Sequence, residues 1–153
     1  MYYPVGHVFP RSAPTYKPLF VSGIIYASPL EFPVTEWGWG VDFEPGSPLR
    51  LLPSQRTALT EAWLVSGDSM APTIQSGDIV LINPSEAYST HLPCAFQTPY
   101  GVMSKRRGVD RLGRNCLLSD NPDVPPFYEL AEAVALGSIY AVYLGPRKIK
   151  RIS

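Results

Sequence analysis

The residues most able to do chemistry lie in one stretch, Val65 to Ile82, VSGDSMAPTIQSGDIVLI. Ser66-Gly67 lets the chain turn sharply at a strand end, and Ser69 opens a short turn in which Pro72 suits a first helical position. A serine so placed exposes its hydroxyl beside backbone N–H groups that lack intrahelical partners. Such amides can stabilise an oxyanion, an effect worth about 3–4 kcal/mol per donor in acyl transfer. Here the candidate donors are the amides of Asp68 and Ser69. The same pattern also describes a helix N-cap serine with no chemistry, which is the commoner use of such a residue.

A serine hydroxyl is a weak nucleophile until a base takes its proton. His7 and His91 are the only histidines, so a Ser-His-Asp triad has few candidates and a metal hydrolase lacks ligands. Cys94 and Cys116 are two cysteines without a CxxC pair, which disfavours a zinc cluster or a disulfide scaffold; no metal or cofactor is expected. Within the block, Gly77-Asp78 reads as a turn fixing the next strand, Met70 as a cleft or core residue, and Asp68 as a residue that shapes the turn.

GDSMAPTIQSGDIVLI resembles the serine–lysine peptidase block shared by LexA-type repressors and UmuD-type mutagenesis proteins. The resemblance implies that Ser69 is the nucleophile. The family's partner lysine lies on a later strand in a Val-x-Val-Lys-Arg-like pattern, which Val102-Met103-Ser104-Lys105-Arg106 matches, so Lys105 is implied as the base. Asn121-Pro122 resembles the family's Asn-containing turn, and Ser138 to Leu144 its last strand. The likeness covers about residues 48–148. It implies a mainly β fold, a LexA/signal-peptidase-like domain of strongly bent antiparallel sheets carrying an extended N-terminal arm.

The chemistry explains the choice of lysine. An ammonium is no base, so Lys105 must be neutral near pH 7, whereas a free lysine titrates near 10.4. Burial in low dielectric lowers that value by up to several units, and Val102 and Met103 supply apolar surroundings. The alternative is an ordinary surface cation in the basic run Lys105-Arg106-Arg107, flanked by Arg111 and Arg114.

Family members of this kind cleave their own N-terminal arm under stimulation by the RecA–single-stranded DNA filament. UmuD-type proteins lack a DNA-binding domain, and they carry a Pro-Leu-Phe segment, here Pro18-Leu19-Phe20. The resemblance therefore implies an SOS mutagenesis protein, a cytoplasmic homodimer whose cut form acts with an error-prone translesion DNA polymerase. The expected scissile bond is Ala27-Ser28, followed by Pro29-Leu30, with Tyr26-Ala27 and Ser22-Gly23 as alternatives. None is the family's usual Ala-Gly or Cys-Gly. Two other readings keep the same fold: a signal-peptidase-like protease working in trans, and a non-cleaving phage or regulatory dimerisation module.

The elements that must hold these residues follow from composition and pattern. With 153 residues, 45% of them hydrophobic, the chain suits one domain with a real core. Its 17 prolines, about twice the usual share, argue against long helices. Thirteen basic and thirteen acidic side chains cancel, so no overall field recruits nucleic acid or membrane. The longest late apolar stretch, Ala133 to Gly145, is too short to span a bilayer. No helix-turn-helix pattern for sequence-specific DNA reading is present.

Two regions are expected: an irregular Pro- and aromatic-rich arm over residues 1–47, and a peptidase domain over 48–153. A short helix is expected over Ser54–Ala62 with Ser54 as its N-cap. Strands are expected at Trp63–Val65, Asp78–Ile82, Gly101–Arg107, Cys116–Leu118 and Ser138–Leu144. The basic cluster Arg147, Lys148, Lys150 and Arg151 reads as a solvated tail.

Overall fold

In the computed structural model the described residues are 16–26, 46–87, 89 and 91–153. Among them are eight strands: β1 (Val21–Tyr26), β2 (Glu61–Ser66), β3 (Ile79–Asn83), β4 (Cys94–Thr98), β5 (Gly101–Val109), β6 (Asn115–Leu118), β7 (Val134–Gly145) and β8 (Lys148–Arg151). They form a single mixed sheet in the order β1-β2-β3-β7-β4-β5-β6, with β8 also on β7. The mainly β expectation holds. All expected strands are present, and three unexpected ones join them.

The sheet is not wholly antiparallel. β1 runs parallel to β2, Ile25 opposite Val65 and Tyr26 opposite Ser66, and also parallel to β5, Ile25 opposite Val102 and Tyr26 opposite Met103. Pairing on both sides makes β1 the strand that joins the two ends of the path β2-β3-β7-β4-β5, so the sheet curls back on itself. The irregular reading of residues 1–47 fails for this stretch. Its apolar Val21, Ile24 and Ile25 suit a pleated, half-buried surface, and partners distant in sequence supply the hydrogen bonds that local pattern did not reveal.

The helix expected over Ser54–Ala62 is reduced to a 3-10 turn at Pro53–Gln55, capped by Leu52 rather than Ser54. The chain then turns through Thr57, whose amide donates to Thr60 Oγ1 at 2.8 Å, and enters β2 at Glu61. The basic tail is also more ordered than expected. Lys148–Arg151 forms β8 on the edge beside β7, where exposed Lys148 and Lys150 discourage further pairing.

The Ile79–Ile82 run shows how the core is divided. Successive side chains on a strand point to opposite faces. Val80 and Ile82 enter one cluster with Ile25, Val65, Met70, Ile74, Val102 and Ile139. Ile79 and Leu81 enter the other with Leu19, Leu49, Leu64 and Tyr143. A strand buried on both faces reads as an unbroken apolar run, which is how the sequence writes it.

Candidate active site

β2 stops at Ser66, and Gly67 at φ +99° swings the chain into the loop that carries Ser69. Only a residue without a Cβ adopts that backbone cheaply. The loop is tied at its base: Gly77 donates its amide to the Val65 carbonyl at 2.8 Å, and Ser76 Oγ accepts from the Gly67 amide at 2.9 Å. Asp78 fixes the exit by accepting the Gln75 amide at 2.9 Å. Met70 and Ile74 are buried in the core and anchor the loop from below, so Met70 is a packing residue. Ser69 itself is 3% exposed.

Lys105 lies on β5, where the neighbouring strands change. Residues Gly101–Lys105 pair with β4, Cys94 facing Lys105, whereas Arg106–Val109 pair with β6, Leu118 facing Arg106. The surface-cation alternative fails on burial, because Lys105 is 2% exposed. Its Nζ lies 2.6 Å from Ser119 Oγ.

One turn, Ser119-Asp120-Asn121, links the lysine strand to the serine loop. Ser119 meets the Lys105 amine. Asp120 accepts from Thr73 Oγ1 at 2.6 Å on the serine loop, and from Arg106 Nε at 2.8 Å and a terminal Arg106 nitrogen at 3.1 Å on the lysine strand. Burial pushes the Asp120 carboxyl up, but the hydrogen bonds from Arg106 and Thr73 and the Arg106 charge outweigh it and hold it below the ordinary carboxylate value. Asn121 donates its amide to the Ser69 carbonyl and its side-chain nitrogen to the Asp68 carbonyl, both at 3.0 Å. Its side-chain oxygen accepts the Asp123 amide at 3.0 Å, which closes the turn. The Asp68–Ser69 backbone is thus held through its carbonyl oxygens.

Asn121 is where the sequence pattern placed a motif turn. The parts played by Ser119, Asp120 and Thr73 were not read from the sequence. The available signal was the run of three short polar residues directly after the apolar strand Cys116–Leu118. Ala27 and Ser28 lie outside the described residues, as does His7. The alternative bond Ser22-Gly23 falls inside β1, with Gly23 opposite Trp63. His91 is exposed and contributes its carbonyl oxygen to Arg106 at 2.7 Å. Cys94 and Cys116 are free and buried. Among the described residues no His, Cys, Asp and Glu side chains gather as a metal site, and no helix is long and apolar enough to cross a membrane.

A β domain in which one turn joins a strand-end serine loop to a buried strand lysine has the parts of a peptidase. The family model described as Peptidase S24-like matches residues 49–138, and the chain belongs to that family, whose members are serine peptidases. No curated protein matches the chain.

Proposed function

We propose that this chain is an UmuD-like self-cleaving peptidase in which Ser69 is the nucleophile and Lys105 the general base. The observation that carries the reading is the shared turn: the segment that contacts the Lys105 amine through Ser119 holds the Ser69 carbonyl through Asn121. A dry site favours the neutral amine over the ammonium. The neutral amine takes the Ser69 proton as Oγ bonds to the scissile carbonyl carbon, and the amides of Asp68 and Ser69 are the donors for the resulting oxyanion. The ammonium then returns its proton to the leaving amine as the peptide C–N bond breaks. Water completes the cycle by the same proton path, leaving a free carboxylate and the restored serine.

The substrate of this reading is the chain's own arm. β1 ends at Tyr26 between Ser66 and Met103, residues that lead respectively to Ser69 and Lys105. An arm delivered as a paired strand makes the attack intramolecular, which can replace a large part of the barrier by prior positioning. Ala27-Ser28 is the proposed bond. By likeness to UmuD-type proteins, a RecA–single-stranded DNA filament stimulates the cut. The product acts as a cytoplasmic homodimer with a translesion polymerase.

Incubation of purified protein at alkaline pH, followed by intact-mass measurement, tests the reading. One defined N-terminal fragment is expected, absent in Ser69→Ala and Lys105→Ala. An intact chain that cuts an added peptide would mean a trans-acting protease. Inertness even with RecA and single-stranded DNA would mean a dimerisation module that keeps the fold.

A further inference from the structure

We propose that Ser119 is a positioning residue that aims the Lys105 amine, an inference that rests on the self-cleaving reading above. Ser119 follows β6 directly. In the β5–β6 ladder Arg106 faces Leu118, so the antiparallel register brings Ser119 to the level of Lys105. The two meet at 2.6 Å between Nζ and Oγ, with Lys105 2% exposed and Ser119 half-buried.

The chemical type of this partner matters as much as its distance. A lysine side chain has many rotamers, and a base must keep its lone pair aimed at the proton it takes. A hydroxyl accepts an N–H from the amine or from the ammonium, so it holds Nζ in either state without adding a charge. A carboxylate there would hold the proton on the nitrogen and disable the base. The neighbouring carboxylate, Asp120, is instead engaged by Arg106 and Thr73. A slip of one residue in the β5–β6 register would set Asp120 or Leu118 against the lysine, one too strong a partner and the other none. The register therefore selects the neutral polar member of the run.

The other groups set around Lys105 are Cys94 opposite it on β4, Arg106 and Arg107 beside it on β5, Tyr26 on β1 opposite Met103, and Asp120 on the turn. None is changed by the test, which compares Ser119→Ala, Ser119→Thr and Ser119→Asp with the wild-type chain. The readout is the self-cleavage rate against pH, with thermal unfolding as the check on folding. Ser119→Ala is expected to lower the alkaline plateau by roughly tenfold to a hundredfold, the scale of a misplaced reacting group. Ser119→Thr, which keeps the hydroxyl, is expected to cleave faster than Ser119→Ala. Ser119→Asp moves the rising limb of the profile to higher pH.

Equal plateau rates for Ser119→Ala and wild type would overturn the inference while leaving the self-cleaving reading intact. So would a Ser119→Thr variant that folds but is as slow as Ser119→Ala. A wild-type chain that never cuts itself would overturn both.

Discussion

Replacing Asp120 by alanine removes the centre of the turn that ties the serine loop to the lysine strand. Three hydrogen bonds are lost: two from Arg106, at 2.8 and 3.1 Å, and one from Thr73, at 2.6 Å. Bonds to a charged group contribute about 1.5–3 kcal/mol each when well buried, against about 0–1 kcal/mol for an exposed ion pair. The two side chains are 26% and 18% exposed, so the pair lies between those limits. Arg106 also keeps carbonyl partners at His91 and Ser153. A loss of about 2–3 kcal/mol in unfolding free energy is therefore expected from Asp120→Ala, close to a typical single bond of the charged kind plus part of a second.

Urea denaturation at neutral pH measures this, and Thr73→Val supplies the second leg of a double-mutant cycle. Because Thr73 and Asp120 touch, the two losses should overlap by about 1 kcal/mol. The pH dependence has a definite sign. A carboxyl held below its ordinary value stabilises the fold above the unfolded-state titration and loses that contribution as pH falls through the folded one. The acid limb of stability should accordingly flatten in Asp120→Asn. A loss under about 0.5 kcal/mol, the noise of ordinary surface substitutions, or strict additivity with Thr73→Val, would falsify the view that this turn is pinned through Asp120.

Other substitutions test other parts of the fold. Ile25→Ala should cost about 2–5 kcal/mol by thermal or urea unfolding, since the side chain is fully buried between β2 and β5. Gly23→Ala should cost about 1–3 kcal/mol, because a Cβ there would sit 2.7 Å from the Trp63 ring. Ser104 Oγ is buried without a hydrogen-bond partner among the described residues, so Ser104→Ala should raise stability by up to about 1 kcal/mol in the same assay. At Asp110, burial pushes the carboxyl up. The Arg114 and Leu112 amides, the Tyr128 hydroxyl and the Arg114 side chain outweigh it and hold the group at about 2. NMR titration of its carboxyl carbon should show that value, and its stabilising contribution should be complete above about 4 and fade as pH falls toward 2.

What the sequence made legible was local. The turn at Ser66-Gly67, the apolar run Ile79–Ile82 and the lysine strand all carry their cause within a few residues, and all appear where expected. What escaped depends on distant partners. β1 looked like loop because its hydrogen bonds come from β2 and β5. β4 is five residues behind Pro93, too short to show a period. β8 was hidden by its own charges, which serve an edge strand as well as a tail. In the site, Ser69, Lys105 and Asn121 stood out by motif, whereas Ser119 and Asp120 gained meaning only once the β5–β6 ladder and the turn beyond it brought Ser119 to Lys105 and the Asp120 carboxylate to the Arg106 side chain.

The place of β1 in the sheet also separates its two edges in the order they can be satisfied. Val21–Tyr26 has one partner, β2, fairly near it in the chain and another, β5, much farther along. Contacts so far apart in sequence are slow to form, because a large loop must close before any of them gains a partner. Among the described strands the rung that joins Ile25 to Val102 closes the longest loop, so β1 can pair with β2 well before it meets β5. The curl of the sheet is complete only when that distant rung is in place.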